Sequence, residues 1–272
     1  MRRAIGRGML AVLVFAGCLA TQAVAQAPRS VFLEDLTWTE LRDQIRSGKT
    51  TIIIPVGGVE QSGPDIALGK HDVRARLLAG RIAGELGNAI VAPVVAYVPE
   101  GSISPPTAHM RFPGTITVPP EVFRQMLVSA ALSFQLHGFK DVVLVGDHGG
   151  YQADLKAVAD QLNRKWAGSG TRAHFVAEYY QATQTAYVAA LRGRGYSAAE
   201  IGTHAGLADT SLMLALDPRQ VREQGLKAGD RLGEAYGVHG DPRRSTAQLG
   251  RLGVDEIVRE TVKAVRAETV RR

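Results

Sequence analysis

The stretch Thr51-Ile52-Ile53-Ile54-Pro55-Val56-Gly57-Gly58 reads as a buried β-strand that stops on a glycine turn. Its side chains are almost all β-branched, a type that packs well on a pleated surface and is disfavoured in a helix. Runs of the same character occupy 89–98 and 141–145, each flanked by turn residues. Between and beyond them the apolar spacing changes to a helical period, at 73–86, 120–137, 151–166, 181–192, 210–216 and 254–270. Pro119-Pro120 suits a helix start, and Gly138 and Gly168 suit helix ends. Strands alternating with helices imply an α/β fold, a single layered domain with a mainly parallel sheet flanked by helices. Ligands in such folds bind outside the carboxyl ends of the strands. That rule directs attention to the polar, glycine-rich loops at 57–72, 146–151 and 202–211.

The chain has 272 residues, 45% of them hydrophobic, enough for one substantial core. Arg2, Arg3 and Arg7 precede an apolar stretch from Met9 to Ala20, and Ala23-Val24-Ala25 offers small residues for cleavage, so residues 1–25 read as a secretory signal and 26–272 as the mature domain. The expected destination is the periplasm. A competing reading makes Cys18, in Phe15-Ala16-Gly17-Cys18, the lipidated first residue of a lipoprotein. No later run is long and apolar enough for an integral membrane segment. Cys18 is the only cysteine, so a chain beginning at Gln26 has no disulfide and no thiol chemistry. The formal charge is +6, and +3 once the three arginines of the leader are set aside. The basic residues are spread among acids without interleaved aromatics, which excludes nucleic acid as an expected partner.

The first loop places Glu60, Ser62, Asp65, His71 and Asp72 after a strand, and the second places Asp147, His148 and Tyr151 after another. Carboxylates together with imidazole suit zinc, manganese or iron, and the glycines let backbone and donors approach closely. Spacing alone is a weak signal. The order of several motifs is stronger. The first loop resembles Gly-x-x-Glu-x-His-Gly-Pro-His-x-Pro-Leu-x-Thr-Asp of the creatininase family, and Asp147-His148-Gly149-Gly150-Tyr151 resembles its Asn-Gly-His-Gly-Gly-Asn. Further matches are His109-Met110-Arg111-Phe112-Pro113-Gly114-Thr115, His137-Gly138-Phe139, His204-Ala205-Gly206 with Thr210-Ser211, and Gly240-Asp241-Pro242 with Thr246-Ala247, in order from about residue 35 to residue 260.

The resemblance implies a creatininase-like metal hydrolase acting on a non-peptide carbon-nitrogen bond of a small, cyclic amide. It implies Glu60, Asp72 and His148 as metal ligands and His204 as a proton shuttle. The family's second-metal histidine and glutamate fall on Ser62 and Gly150 here, so one zinc or manganese per chain is expected, with iron as an alternative. His71, as a replacement donor for a second metal, competes with the tendency of neighbouring residues to point apart. His109, Asp147 and Tyr151 are expected to line the pocket. The expected partners are a small-molecule substrate and further copies of the chain, a hexamer being one size the resemblance allows. Two alternatives stand beside this reading: a catalytically idle binding protein, motivated by Ser62, Gly150 and Leu207, and a lactone or ester hydrolase on the same site.

Overall fold

The computed structural model describes residues 30–270. The signal-peptide and Cys18 expectations lie outside the described residues. Four parallel strands form one sheet in the order β2-β1-β3-β4: β1 Thr51–Val56, β2 Ala89–Val91, β3 Asp141–Gly146 and β4 Arg172–Phe175. The helices are α1 Trp38–Arg46, α2 Lys70–Leu86, α3 Pro120–Leu136, α4 Gln152–Lys165, α5 Glu178–Gln184, α6 Ala186–Arg192, α7 Ala198–Ile201, α8 Leu207–Leu216, α9 Glu223–Ala228 and α10 Ala247–Val270. No helix among these residues is long and apolar enough to cross a membrane.

The alternation of side chains across a strand sorts the core into two layers. Ile53, Val91, Val143 and Val145 face a cluster built with Leu78 and Ile82 of α2 and Val254 and Ile257 of α10. Ile52, Ile54, Val142 and Leu144 face the opposite cluster, with Phe123 and Leu127 of α3 and Leu155 and Val158 of α4. Both faces of the sheet are therefore covered, as an all-parallel sheet requires.

Three expectations are corrected by local chemistry. The strand at 89–98 ends at Val91, because Pro93 has no N–H to give to the ladder; an isolated pairing of Val95 with Val56 resumes two residues later. The helix expected over 181–192 is broken at Thr185, whose φ of −118° and ψ of −81° are not helical, giving α5 and α6. The α1 helix, not anticipated, carries a full capping box in which Thr37 accepts from Glu40 N and Glu40 accepts from Thr37 N.

Candidate metal centre

The connection after β1 leads through α2 to β2 on one side, whereas that after β3 leads through α4 to β4 on the other. The chain therefore parts between β1 and β3, and their carboxyl ends frame a crevice of the kind where α/β sheets bind ligands. Glu60 lies four residues past β1 and His148 two past β3. Glu60 is fully buried. Its Oε1 accepts from His71 Nε2 at 2.7 Å and lies 3.5 Å from Lys70 Nζ. Its Oε2 faces His109 Nε2 at 3.2 Å and His148 Nε2 at 3.5 Å. Glu100, on the extended chain beyond β2, brings Oε2 to 3.7 Å from His148 Nδ1. Gly58 makes room for it. At a φ of +138°, a Cβ on Gly58 would lie 2.9 Å from Glu100 Oε1.

Glu60, Glu100, His109 and His148 can each offer one donor atom, all within 4.8 Å of one another. Glu60 Oε2 and both carboxylate oxygens of Glu100 are buried without a hydrogen-bond partner. Buried polar groups are normally satisfied, and leaving three such oxygens together is costly. A cation repays that cost, and two carboxylates with two imidazoles are a donor set for zinc or manganese. The residues fit a divalent metal.

The electrostatics agree with this arrangement. Burial works against ionisation of Glu60, yet His71, Lys70 and His148 hold its carboxyl well below the usual range. Burial beside Glu60 pushes Glu100 up to about 9. Burial brings His148 down to about 4 and, with Lys70, His204 down to about 3; it lowers His109 as well. These three imidazoles are therefore neutral at pH 7, the state in which a ring nitrogen has a lone pair to give.

The sequence profile of the Creatininase family, described as creatinine amidohydrolase, matches residues 34–265. The chain belongs to the creatininase family. Similar proteins include the mycofactocin precursor peptide peptidase of Mycobacterium ulcerans, 28% identical over 252 residues that cover 84% of this chain and 89% of that protein. The creatinine amidohydrolase of Pseudomonas putida is 27% identical over 195 residues, 70% of this chain and 73% of that one. A solved structure titled "Creatininase Mn" superposes with a TM-score of 0.72 at 22% identity, over 88% of this chain and 99% of that chain, and so shares its fold.

Set against the creatininase motif, Asp72 is the principal correction. It does not join the cluster: its Oδ1 accepts from Gly58 N at 2.9 Å, and its side chain packs on Gly57. The motif's aspartate stands eleven residues after its glutamate, which is His71 in this chain. One residue along a helix is a rotation of about 100°. His71 consequently points into the crevice and Asp72 away from it. Both ring nitrogens of His71 are engaged, Nε2 with Glu60 and Nδ1 with Asp147 Oδ2 at 2.5 Å, so neither is open to a metal.

Tyr151 is likewise not a pocket residue. It is fully buried, and its hydroxyl binds the backbone of both loops, lying 2.6 Å from Gly57 O and accepting from His148 N at 3.0 Å. Ser62 is buried with an unpartnered hydroxyl. Asp147 reaches the cleft wall, but its oxygens are taken by His71, Arg74 Nε and the Tyr179 hydroxyl.

His109 and His204 do come together, with ring centroids 4.5 Å apart. Each adjoins an alanine in the left-handed region, Ala108 at φ +46° and Ala205 at φ +50°. Such strain tends to gather at functional sites. His204 Nε2 donates to Gln61 O at 2.9 Å, leaving Nδ1 at 3.7 Å from Glu60 Oε1.

Sequence reasoning missed Glu100, Lys70, Arg74 and Asp209. Lys70 is wholly buried, and its Nζ binds Asp209 Oδ2 at 2.9 Å. Arg74 binds Asp209 Oδ1 at 2.6 Å, and Asp209 also accepts from Ala205 N beside His204. Two cationic residues four apart, Lys70 and Arg74, around the end of the polar loop after β1 were the available signal. Next to these groups lies a small cleft of about 60 Å³, with His148, His204, Tyr180, Thr183 and Gln184 on its walls.

Proposed function

We propose that this creatininase-family hydrolase is an exported, metal-dependent amidohydrolase that opens a non-peptide carbon-nitrogen bond in a small cyclic amide and works as a homo-oligomer. The observation that carries the reading is the cluster around Glu60 and His148, with its three unsatisfied carboxylate oxygens, at the edge of a polar cleft. The ion, once bound, supplies a Lewis acid that polarises a carbonyl and acidifies water.

The rest is done by the protein's own groups. Glu60 is fixed by His71 and Lys70, so its second oxygen stays aimed at the cluster. His204 keeps its Nε2 proton on the Gln61 carbonyl and turns Nδ1 inward, 3.7 Å from Glu60 Oε1, and from there it would relay a proton to the leaving nitrogen, as the resemblance implies. Every cationic side chain beside the cleft is already paired, Arg74 with Asp147 and Asp209 and Lys70 with Asp209 and Glu60. This supports an uncharged ring substrate held by the hydroxyl and amide groups of Tyr180, Thr183 and Gln184.

The test is a screen of lactams, cyclic imides, hydantoins, lactones and dipeptides with the metal-loaded protein, repeated after chelation. Chelator-sensitive turnover of a cyclic amide, reduced about 100-fold or more in His204→Ala, is expected. Turnover confined to lactones would favour the ester reading, turnover confined to peptides would overturn the bond class, and no turnover of any would favour the idle binding protein.

A further inference from the structure

A single ion, held by a ligand set that the motif positions do not give, is the strongest further reading of this centre. We propose that Glu100 and His109 are direct metal ligands that complete, with Glu60 and His148, one tetrahedral site, and that Lys70 and His71 fill the place of a second cation. The inference rests on the metal-hydrolase reading above.

Distances carry the first half. Zinc bonds to nitrogen and oxygen of about 2.0–2.1 Å in a tetrahedron put neighbouring donors roughly 3.3 Å apart. The donor separations here are 3.2 Å for His109 Nε2 to Glu60 Oε2 and 3.5 Å for His148 Nε2 to the same oxygen, with a Glu100 oxygen inside the 4.8 Å that spans the whole set; His148 Nδ1 is taken by Gly150 N at 3.2 Å, which leaves Nε2 for the ion. Glu60 Oε2 and both Glu100 oxygens are buried with no hydrogen-bond partner of their own, and Lys70 lies on the other oxygen of Glu60. The room for Glu100 is built into the backbone, since only glycine at position 58 admits it. His109 binds through Nε2 when its proton sits on Nδ1; Gln61 Nε2 lies 2.9 Å from that nitrogen, so the Gln61 amide turns over to accept there and gives up the bond its Oε1 accepts from Gly63 N at 2.9 Å.

Charge and chemistry carry the second half. Ser62 and Gly150 offer no strong donor at the positions where a second ion would need them. His71 gives both nitrogens to carboxylates, and the Lys70 ammonium lies against the remaining oxygen of Glu60 and against Asp209. Four carboxylates, of Glu60, Glu100, Asp147 and Asp209, thus face Lys70, Arg74 and a doubly donating His71. One divalent ion leaves this buried group with a single positive charge; a second would leave three, which burial disfavours strongly.

The experiment measures zinc itself. Zinc per chain and zinc affinity, by chelator competition, are compared in the wild-type chain, Glu100→Gln, His109→Ala and Ser62→His, with zinc-edge X-ray absorption of the wild type to identify the ligands without any substitution. Expected are one zinc per chain, two imidazole nitrogens in its shell, an affinity loss of at least about 100-fold in Glu100→Gln and in His109→Ala, and no second zinc in Ser62→His. Even outer-shell partners are worth about 10–100-fold, so a lost ligand reaches the top of that range or passes it. Two zinc ions per wild-type chain, or a shell with one imidazole and affinities unmoved in both variants, would overturn the inference while leaving the hydrolase reading in place. A wild-type chain that binds no zinc would overturn both.

Discussion

Replacing Tyr151 by Phe removes one oxygen atom from a fully buried ring and should cost far more than its size suggests. The hydroxyl lies 2.9 Å from Val56 O and 2.6 Å from Gly57 O, and it accepts from Asp147 N at 3.1 Å and His148 N at 3.0 Å. Its single proton serves one carbonyl at a time. Asp147 N also reaches Val56 O at 3.0 Å, so it keeps a partner after the change. The net loss is one buried N–H, that of His148, and one buried carbonyl, at about 1–3 kcal/mol each when left unsatisfied. We expect destabilisation of about 3 kcal/mol, measured by urea unfolding followed by circular dichroism, and a fall in Tm of about 6–12 °C by the usual scaling for a chain of this size. The same bonds fix the loops that carry Glu60 and His148, so zinc affinity should fall in parallel. A Tyr151→Phe protein within about 0.5 kcal/mol of wild type, the ordinary range for an inconsequential substitution, would refute the idea that this hydroxyl ties the two loops together.

Other outcomes follow from the same geometry. Burial works against the charge on Asp209, but Lys70 and Arg74 hold its carboxyl well below the usual range. The stability it contributes is therefore present above its unfolded value of about 3.9 and lost as pH falls through the folded one. Asp209→Asn should cost about 3–5 kcal/mol at pH 7 in urea unfolding, and the gap to wild type should close below about pH 4. Because Glu100 sits up to about 9 while burial lowers His109 and brings His148 down to about 4, zinc binding at about pH 7–8 should release about one proton; chelator competition should show affinity rising about tenfold per pH unit, a slope lost in Glu100→Gln. At the crossing of α8 and α10, a Cβ on Gly250 would collide with the Ser211 carbonyl, so Gly250→Ala should lower stability by about 1–3 kcal/mol in the same unfolding assay.

The strands were legible because their chemistry is local. Thr51–Val56 forms from β-branched residues and ends at its glycines as its composition indicates, and the loops after β1 and β3 hold the chemistry that the parallel-sheet rule places there. Within those loops it was the family resemblance that singled out Glu60 and His148. The choice between His71 and Asp72 turns on where α2 begins, and a helix started at Lys70 rather than Val73 puts His71 on the inner face. Boundaries are the least certain part of any sequence reading. Glu100 was invisible for another reason. It sits forty residues from Glu60 on a chain that has left the sheet at Pro93, and only the left-handed turn at Gly58 lets the two carboxylates meet. Tyr151 stands three residues after His148, the ligand the resemblance implies, which suggested a pocket wall. The short turn Gly149–Tyr151 instead carries its ring back into the core beside Phe123.

The central claim is that this chain is a metal enzyme, and metal content tests it most directly. Elemental analysis of the protein purified without chelator, beside a Glu60→Ala control, should give about one zinc or manganese per wild-type chain and almost none in the control. A wild-type chain that carries no divalent metal, and takes up none on reconstitution with zinc, manganese or iron, would contradict the account.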